Sequence, residues 1–219
     1  METSFEWSQA TESLRDAMRE WAITRVRPLA READRLHRPP DGADAALDAC
    51  PVDIGRIGTR KGAGDVEMAA VRADGTNVVS GLLHEELCYG DVWPVFTVRG
   101  GGIGPNVVRL MGTKEQKDRW VGGVVRGEMS YGAFALTEPH FGSDVSQVAT
   151  TATRQGDVWL LNGTKMYCSM GATADYVIVF ATTDKAAGRQ GIGAFVVERG
   201  TPGFIVAKRN EEKLSLIHI

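Results

Sequence analysis

Two short stretches carry side chains suited to gripping the edge of a polar ring. They are Thr137-Glu138-Pro139-His140-Phe141-Gly142-Ser143-Asp144 and Lys165-Met166-Tyr167-Cys168-Ser169. The first follows an apolar run, Ala133-Phe134-Ala135-Leu136, and so stands at the end of a candidate strand. Backbone groups of Phe134 and Leu136 and the Thr137 hydroxyl can then face a ligand, with Pro139 ending the strand by removing a donor. Gly142-Ser143 lets the backbone approach an anionic group and adds a hydroxyl. The second stretch supplies an aromatic wall, Tyr167, and a hydroxyl, Ser169, two residues later on the same strand face. A flavin needs this set, because its ring edge carries carbonyl oxygens and nitrogens while its faces want an aromatic or aliphatic wall. Each residue also has a plain structural role: Thr137 and Ser169 bonding their own backbone, Tyr167 in the core. Residue chemistry alone leaves both readings open.

Other candidates are weaker. Gly100-Gly101-Gly102-Ile103-Gly104 lacks both GxxxxGK[ST] and the full GxGxxG and follows no strand–helix unit, so these glycines are expected to end helices or let them pass closely. Glu85 and Glu86 are adjacent, and on a helix adjacent residues point about 100° apart, which suits a solvated or ion-paired face better than an acid/base pair. Cys168 has no histidine near it in sequence and reads as a small buried apolar residue. Ser143 sits in GSDVS rather than GxSxG. His37, His84, His140 and His218 are too far apart for a zinc motif.

With 43% apolar and 24% charged residues and a net charge of −3, the 219-residue chain has the composition of an ordinary globular protein, with no sign of nucleic-acid binding. Cys50, Cys88 and Cys168 are odd in number and distant, which suggests reduced thiols in a cytoplasmic setting rather than a disulfide framework. The acidic start has no apolar h-region, and no run is long enough to span a membrane.

The elements that must position the two stretches divide by period. Up to residue 129 the pattern is helical. Leu14, Met18, Trp21, Val26 and Leu29 share a face between Ser8 and Leu36, with Pro28 as a kink. Further helices are expected over Thr76–Tyr89 and Gly104–Met111, and from a capping box, Thr113-Lys114-Glu115-Gln116, to about Arg126. Residues 38–75 suggest short helices and loops. From Ser130 the period becomes two. VATTATR, DVWLL, DYVIVFAT, AFVVE and GFIVAK read as strands, with turns at Arg154-Gln155-Gly156-Asp157 and, as a type I′ hairpin, at Asn162-Gly163. The expected fold class is α+β: a helical domain over 1–129, then an antiparallel barrel or sandwich over 130–219.

The run FALTEPHFGSDVSQVATTATRQGDVWLLNGTKMYCSMGATADYVIVFATT resembles the flavin-binding middle domain of the acyl-CoA dehydrogenase family. It carries TEPxxGSD, then GDxWxLNGxK and a later A-D before an apolar strand. Upstream, GLLHEELCYGD and MGTKEQKDRW sit where that family has its helical N-terminal domain. The resemblance implies FAD contacts from Phe134, Leu136, Thr137, Ser143, Tyr167, Cys168 and Ser169, with Ser143 also near the thioester end of an acyl-CoA ligand. Tyr167-Cys168-Ser169 stands where the family has W-I-T or W-I-S/G, and Met170 where asparagine is common. The implied chemistry is α,β-dehydrogenation in fatty acid metabolism: a carboxylate base removes the α-proton, hydride passes to the flavin, and an electron-transferring flavoprotein takes the electrons.

Segments GTPGFIVAK and EKLSL are similar to the glutaryl-CoA dehydrogenase-like branch, although Ile217 replaces an arginine and the branch's glutarate-binding arginine falls near Val95. That argues against a dicarboxylic substrate. The family's C-terminal helical domain, which supplies the base and the tetramer contacts, has no counterpart in these 219 residues, so no catalytic residue is expected here; the histidine spacing already gives no metal site. The alternatives are a non-catalytic fragment or binding subunit with residual FAD or partner affinity and, more distantly, a flavin monooxygenase of the same fold.

Overall fold

In the computed structural model, which describes residues 6–36, 38–52, 76–96 and 103–207, the apolar spacing near the N-terminus becomes helix α1, Gln9–Trp21. Ser8 caps it, its hydroxyl accepting from the Thr11 amide at 3.3 Å. The chain continues through a π-helical turn, Ala22–Val26, and a 3-10 turn, Arg27–Leu29, before α2, Ala30–Leu36. Pro28 falls in the first turn of that 3-10 segment, where its missing N–H does no harm. Helix α3 spans Ala43–Asp48 and α4 spans Thr76–Gly90. Their inner faces form one core in which Met18, Val26 and Leu87 are fully buried, each contributing roughly 1.5–3 kcal/mol. Glu86 is buried and bonded by Arg19 (Nη2 to Oε1, 2.9 Å), whose guanidinium also lies 3.6 Å over the Tyr89 ring, while Glu85 is exposed. The two glutamates therefore diverge as helix geometry requires.

The residues form two compact units divided between Val98 and Arg99. The second contains helices as well as strands, so by contact it begins before the change of sequence period at 129. Helix α5, Ile103–Met111, is followed by the capping box: Thr113 accepts from the Gln116 amide at 3.2 Å and its own amide donates to Gln116 Oε1 at 2.8 Å. From there α6, Lys114–Gln116, a π-helical turn, Lys117–Gly122, and α7, Gly123–Val125, run on to Gly127, whose φ of +76° ends the helix.

Five strands form the sheet: β1 Gly132–Ala135, β2 Thr151–Gln155, β3 Val158–Asn162, β4 Tyr176–Thr182 and β5 Ile192–Glu198. Strand β4 is central. One edge takes β1 in parallel along its first half and β2 at Thr182; the other takes β5 antiparallel along its whole length. The expected antiparallel barrel or sandwich is therefore corrected: the described strands make a mixed sheet, not a closed barrel. The cause is connectivity. Residues 136–175 form a crossover long enough to return β4 parallel to β1, and the β2–β3 hairpin sits inside that crossover. Strand β4 is buried on both faces, which is why it reads as a near-continuous apolar run. Val177 and Val179 pack with Ala133, Ala135 and Ala174, whereas Tyr176 and Ile178 pack against Val108 and Val124 of the helices.

Tyr176 is fully buried, its hydroxyl has no hydrogen-bond partner among the described residues, and burial pushes it up to about 12. An unbonded buried hydroxyl is a liability, so Tyr176→Phe is expected to leave stability unchanged or raise it by up to about 1 kcal/mol in urea denaturation. A loss of stability of about 1 kcal/mol or more would mean the hydroxyl has a partner.

Two turn expectations separate here. The β2–β3 hairpin turns at Gly156-Asp157, with Gln155 opposite Val158 and Gly156 at φ +60°. The hairpin expected at Asn162-Gly163 does not form, because no strand follows it. Gly163 instead lies against Thr150, where an added Cβ would come 2.3 Å from the hydroxyl oxygen. Likewise GFIVAK shows no strand from Gly203 to Ala207; Lys208 and the tail EEKLSLIHI lie outside the described residues, as do 53–75 and the first three glycines of GGGIG.

Candidate functional site around Thr137 and Tyr167

Strand β1 ends at Ala135, three residues earlier than Pro139 would dictate, yet the chain beyond it remains fixed. Thr137 O accepts from the Met166 amide at 2.8 Å, and Leu136 O accepts from Lys165 Nζ at 3.0 Å. These two bonds lay the 134–138 segment beside the 165–168 segment. Glu138 and Phe141 then exchange backbone bonds (3.1 and 3.2 Å), turning the chain tightly over Pro139-His140. Ser143 follows on the exposed side, and Asp144 caps a short 3-10 turn, Val145–Gln147, through the Ser146 amide at 3.2 Å.

Residues 165–169 are not the strand expected of them. Tyr167 has φ +54° and Met170 φ +63°, a left-handed backbone that extended structure does not contain. The turn is closed by the Gly171 amide on Cys168 O (3.0 Å) and the Ala174 amide on Met170 O (2.8 Å). Tyr167 and Ser169 therefore do not share a strand face by alternation. Left-handed backbone costs a methionine roughly 1–2 kcal/mol, and asparagine tolerates it better. Met170→Asn is thus expected to stabilise the protein by about 0.5–1 kcal/mol; an unchanged or lowered denaturation midpoint would show that the turn is held in some other way.

The expected site residues differ in their surroundings. Phe134 is half-buried with its ring 5.1 Å from that of Phe180. Leu136 and Thr137 are half-buried; Ser143, Tyr167 and Ser169 are exposed. Among the described residues, the hydroxyls of Thr137, Ser143 and Ser169 have no hydrogen-bond partner. Cys168 is half-buried rather than fully buried and packs against the apolar cluster of Ala133, Ala135, Ala174, Val177 and Val179. Burial pushes its thiol up, partly offset by a backbone group of Phe134.

One pair in the same motifs was not singled out by sequence reasoning. Glu138 is buried, and its carboxylate accepts from Lys165 Nζ (2.8 Å), the amides of Ala149 (2.6 Å) and Thr150 (2.9 Å), and the Thr150 hydroxyl. Burial pushes the carboxyl up, but Lys165, the Thr150 hydroxyl and the two amides together outweigh it and hold it at about 2. Burial lowers the Lys165 ammonium, with Glu138 opposing. The pair is separated by 27 residues, so no local pattern announces it; the only signal was that each member sits inside one of the two quoted motifs. Beside it, between the 138–141 turn and Gly163-Thr164, lies a pocket of about 130 Å³. That is below the roughly 300–1,000 Å³ of small-molecule sites, so a tricyclic ring would have to lie outside it.

The sequence matches the family model for the acyl-CoA dehydrogenase N-terminal domain over residues 8–128 and that for the acyl-CoA dehydrogenase middle domain over residues 133–218. It is 33% identical over 216 residues to the mitochondrial short-chain specific acyl-CoA dehydrogenase of Bos taurus, covering 97% of this chain and 49% of that one. The structure resembles the butyryl-CoA dehydrogenase of Megasphaera elsdenii (TM-score 0.69, 30% identity, 92% of this chain and 51% of that one). It also resembles a glutaryl-CoA dehydrogenase from Mycobacterium smegmatis in complex with FADH2 (TM-score 0.67, 30% identity, 90% and 47%). The chain thus spans about half the length of these relatives.

Proposed function

Since the chain belongs to the acyl-CoA dehydrogenase family, we propose that the two adjoining segments hold FAD as part of a flavin-dependent acyl-CoA dehydrogenase. When bound, FAD supplies the acceptor for the hydride that leaves an acyl-CoA thioester. The observation that carries this reading is the 2.8 Å bond from the Met166 amide to Thr137 O, which brings both candidate segments to one place. The fit rests on the donor set there: hydroxyls of Thr137, Ser143 and Ser169 with no partner among the described residues, and an exposed Tyr167 ring.

In this reading Thr137 and Ser169 donate to the ring edge, Tyr167 and Phe134 wall its faces, and Leu136 and Cys168 contribute backbone groups. Ser143 serves the cofactor pyrophosphate or the thioester end of the ligand. No catalytic residue is assigned to the chain, so acyl-CoA turnover by these 219 residues alone is expected to be absent. An electron-transferring flavoprotein as acceptor, a homotetrameric full-length form, a cytoplasmic setting and kinship with the glutaryl-CoA branch belong to the same proposal. The described residues include no helix long and apolar enough to cross a membrane.

The test is a titration of the purified chain with FAD, followed by flavin fluorescence. The expected result is saturable binding that Thr137→Ala and Ser169→Ala each weaken about five- to tenfold, the worth of one neutral hydrogen bond. Binding that ignores both substitutions would place the cofactor elsewhere, and bleaching of the bound flavin by butyryl-CoA would overturn the expected inactivity.

A further inference from the structure

Lys165 reaches two targets on the opposite segment. Its Nζ donates to the Leu136 carbonyl at 3.0 Å and to Glu138 at 2.8 Å, and the next residue's amide donates to Thr137 O at 2.8 Å. Three successive residues, 136 to 138, are therefore tied to two successive residues, 165 and 166. Glu138 in turn takes the Ala149 and Thr150 amides, so a third segment joins the same junction. None of the residues proposed to face the flavin makes these bonds with its side chain. Burying an ion pair is expensive unless close geometry and further hydrogen bonds offset the desolvation, and here the Ala149 and Thr150 amides, the Thr150 hydroxyl and the Leu136 carbonyl supply those bonds. Here the pair sits one residue from Thr137 on one side and two from Tyr167 on the other.

We propose that Lys165, through Glu138 and the Leu136 carbonyl, is the positioning residue of the flavin site, setting the distance between the Thr137 and Tyr167–Ser169 segments. The inference rests on the functional reading above but makes a separate claim: the clamp governs local backbone order and, through it, cofactor affinity. It predicts that the groups contacting FAD can be left intact while the site is lost.

The test uses the full chain and three variants: Lys165→Met, Lys165→Arg, and the double replacement Lys165→Met with Glu138→Gln. The double variant removes the clamp without stranding a buried charge, so it keeps the experiment readable if Lys165→Met fails to fold. Two quantities are measured: amide hydrogen exchange without cofactor, and FAD affinity by fluorescence. Expected in the double variant is at least tenfold faster exchange at Met166, Ala149 and Thr150, unchanged exchange in β4 and β5, and FAD binding weakened at least tenfold. Lys165→Arg, which retains charge and donors, should recover most of both. Exchange that accelerates across the whole sheet, or at none of these amides, overturns the clamp. Local loosening with unchanged FAD affinity overturns the positioning role and leaves the flavin reading standing. Failure of the unsubstituted chain to take up FAD is the distinct result that sinks the flavin reading and the positioning role with it.

Discussion

Replacing Lys165 with methionine is expected to destabilise the second unit by about 3–5 kcal/mol, the usual penalty for stranding one member of a buried ion pair. Lys165 and Glu138 side chains are 10% and 3% exposed, so neither charge can turn to water when its partner is removed. Methionine matches the aliphatic stem but gives Glu138 no donor, leaving its carboxylate with two amides and one hydroxyl. Urea denaturation of the single and double variants separates charge from packing: adding Glu138→Gln should recover most of the loss. A single-variant loss below about 1 kcal/mol would mean that water reaches Glu138 and that the pair is in effect a surface pair.

Acid reaches the same group from the other side. The folded-state midpoint of Glu138, about 2, lies below the ordinary 4.5 for a free glutamate. Its stabilising contribution is therefore complete above pH 4.5 and disappears as pH falls through 2. The shift corresponds to about 3 kcal/mol. Stability measured from pH 5 down to pH 2 should fall steeply in the unsubstituted protein and less steeply in Glu138→Gln. Parallel curves would assign the acid sensitivity to other carboxylates.

Local signals in the sequence are legible where the structure is local. The spacing of Leu14, Met18 and Trp21 became a helix face, Thr113 and Gln116 became a reciprocal cap, and Gly156 became the turn of a two-stranded hairpin. Tyr176–Thr182 was recognisable as a strand from its β-branched and aromatic run. What was not legible depends on partners distant in the chain. Parallel pairing of β1 with β4 leaves no mark in a period-two pattern, since the alternation is the same whichever way a neighbour runs. Lys165-Met166-Tyr167-Cys168-Ser169 looked like a strand because it follows the Asn162-Gly163 hairpin signal, yet it bonds to Leu136 and Thr137 and turns at Tyr167 through left-handed backbone. At the candidate site, the motifs indicated which two segments meet. The ion pair joining them was invisible because Glu138 and Lys165 stand 27 residues apart with the β2–β3 hairpin between them, beyond the reach of any local pattern.

Gly163 shows the same difficulty within one residue, and it carries the second large expectation. Asn-Gly is the strongest short-range hairpin signal, and the glycine would ordinarily be there for its positive φ. Here Gly163 has no positive φ; it is needed for closeness. A Cβ at this position would stand 2.3 Å from Thr150 Oγ1 and 2.7 Å from Thr150 Cα, and the latter is backbone that a rotamer change cannot move. Gly163→Ala must therefore push the 149–150 segment away from β3, drawing the Thr150 amide and hydroxyl off Glu138. Overpacking costs typically about 1–3 kcal/mol, and weakening a hydrogen bond to a buried carboxylate adds about 1.5–3 kcal/mol, so a total near 3–5 kcal/mol is expected. Gly142→Ala is the control, since nothing lies within 4 Å of its added Cβ and its φ is not positive; it should change stability by less than about 0.5 kcal/mol. If the Gly163→Ala loss is real but the acid slope between pH 5 and 2 is unchanged, the clash is absorbed without disturbing Glu138. A flattened slope would instead show that this glycine, read from sequence as a turn, holds Thr150 within reach of the buried carboxylate.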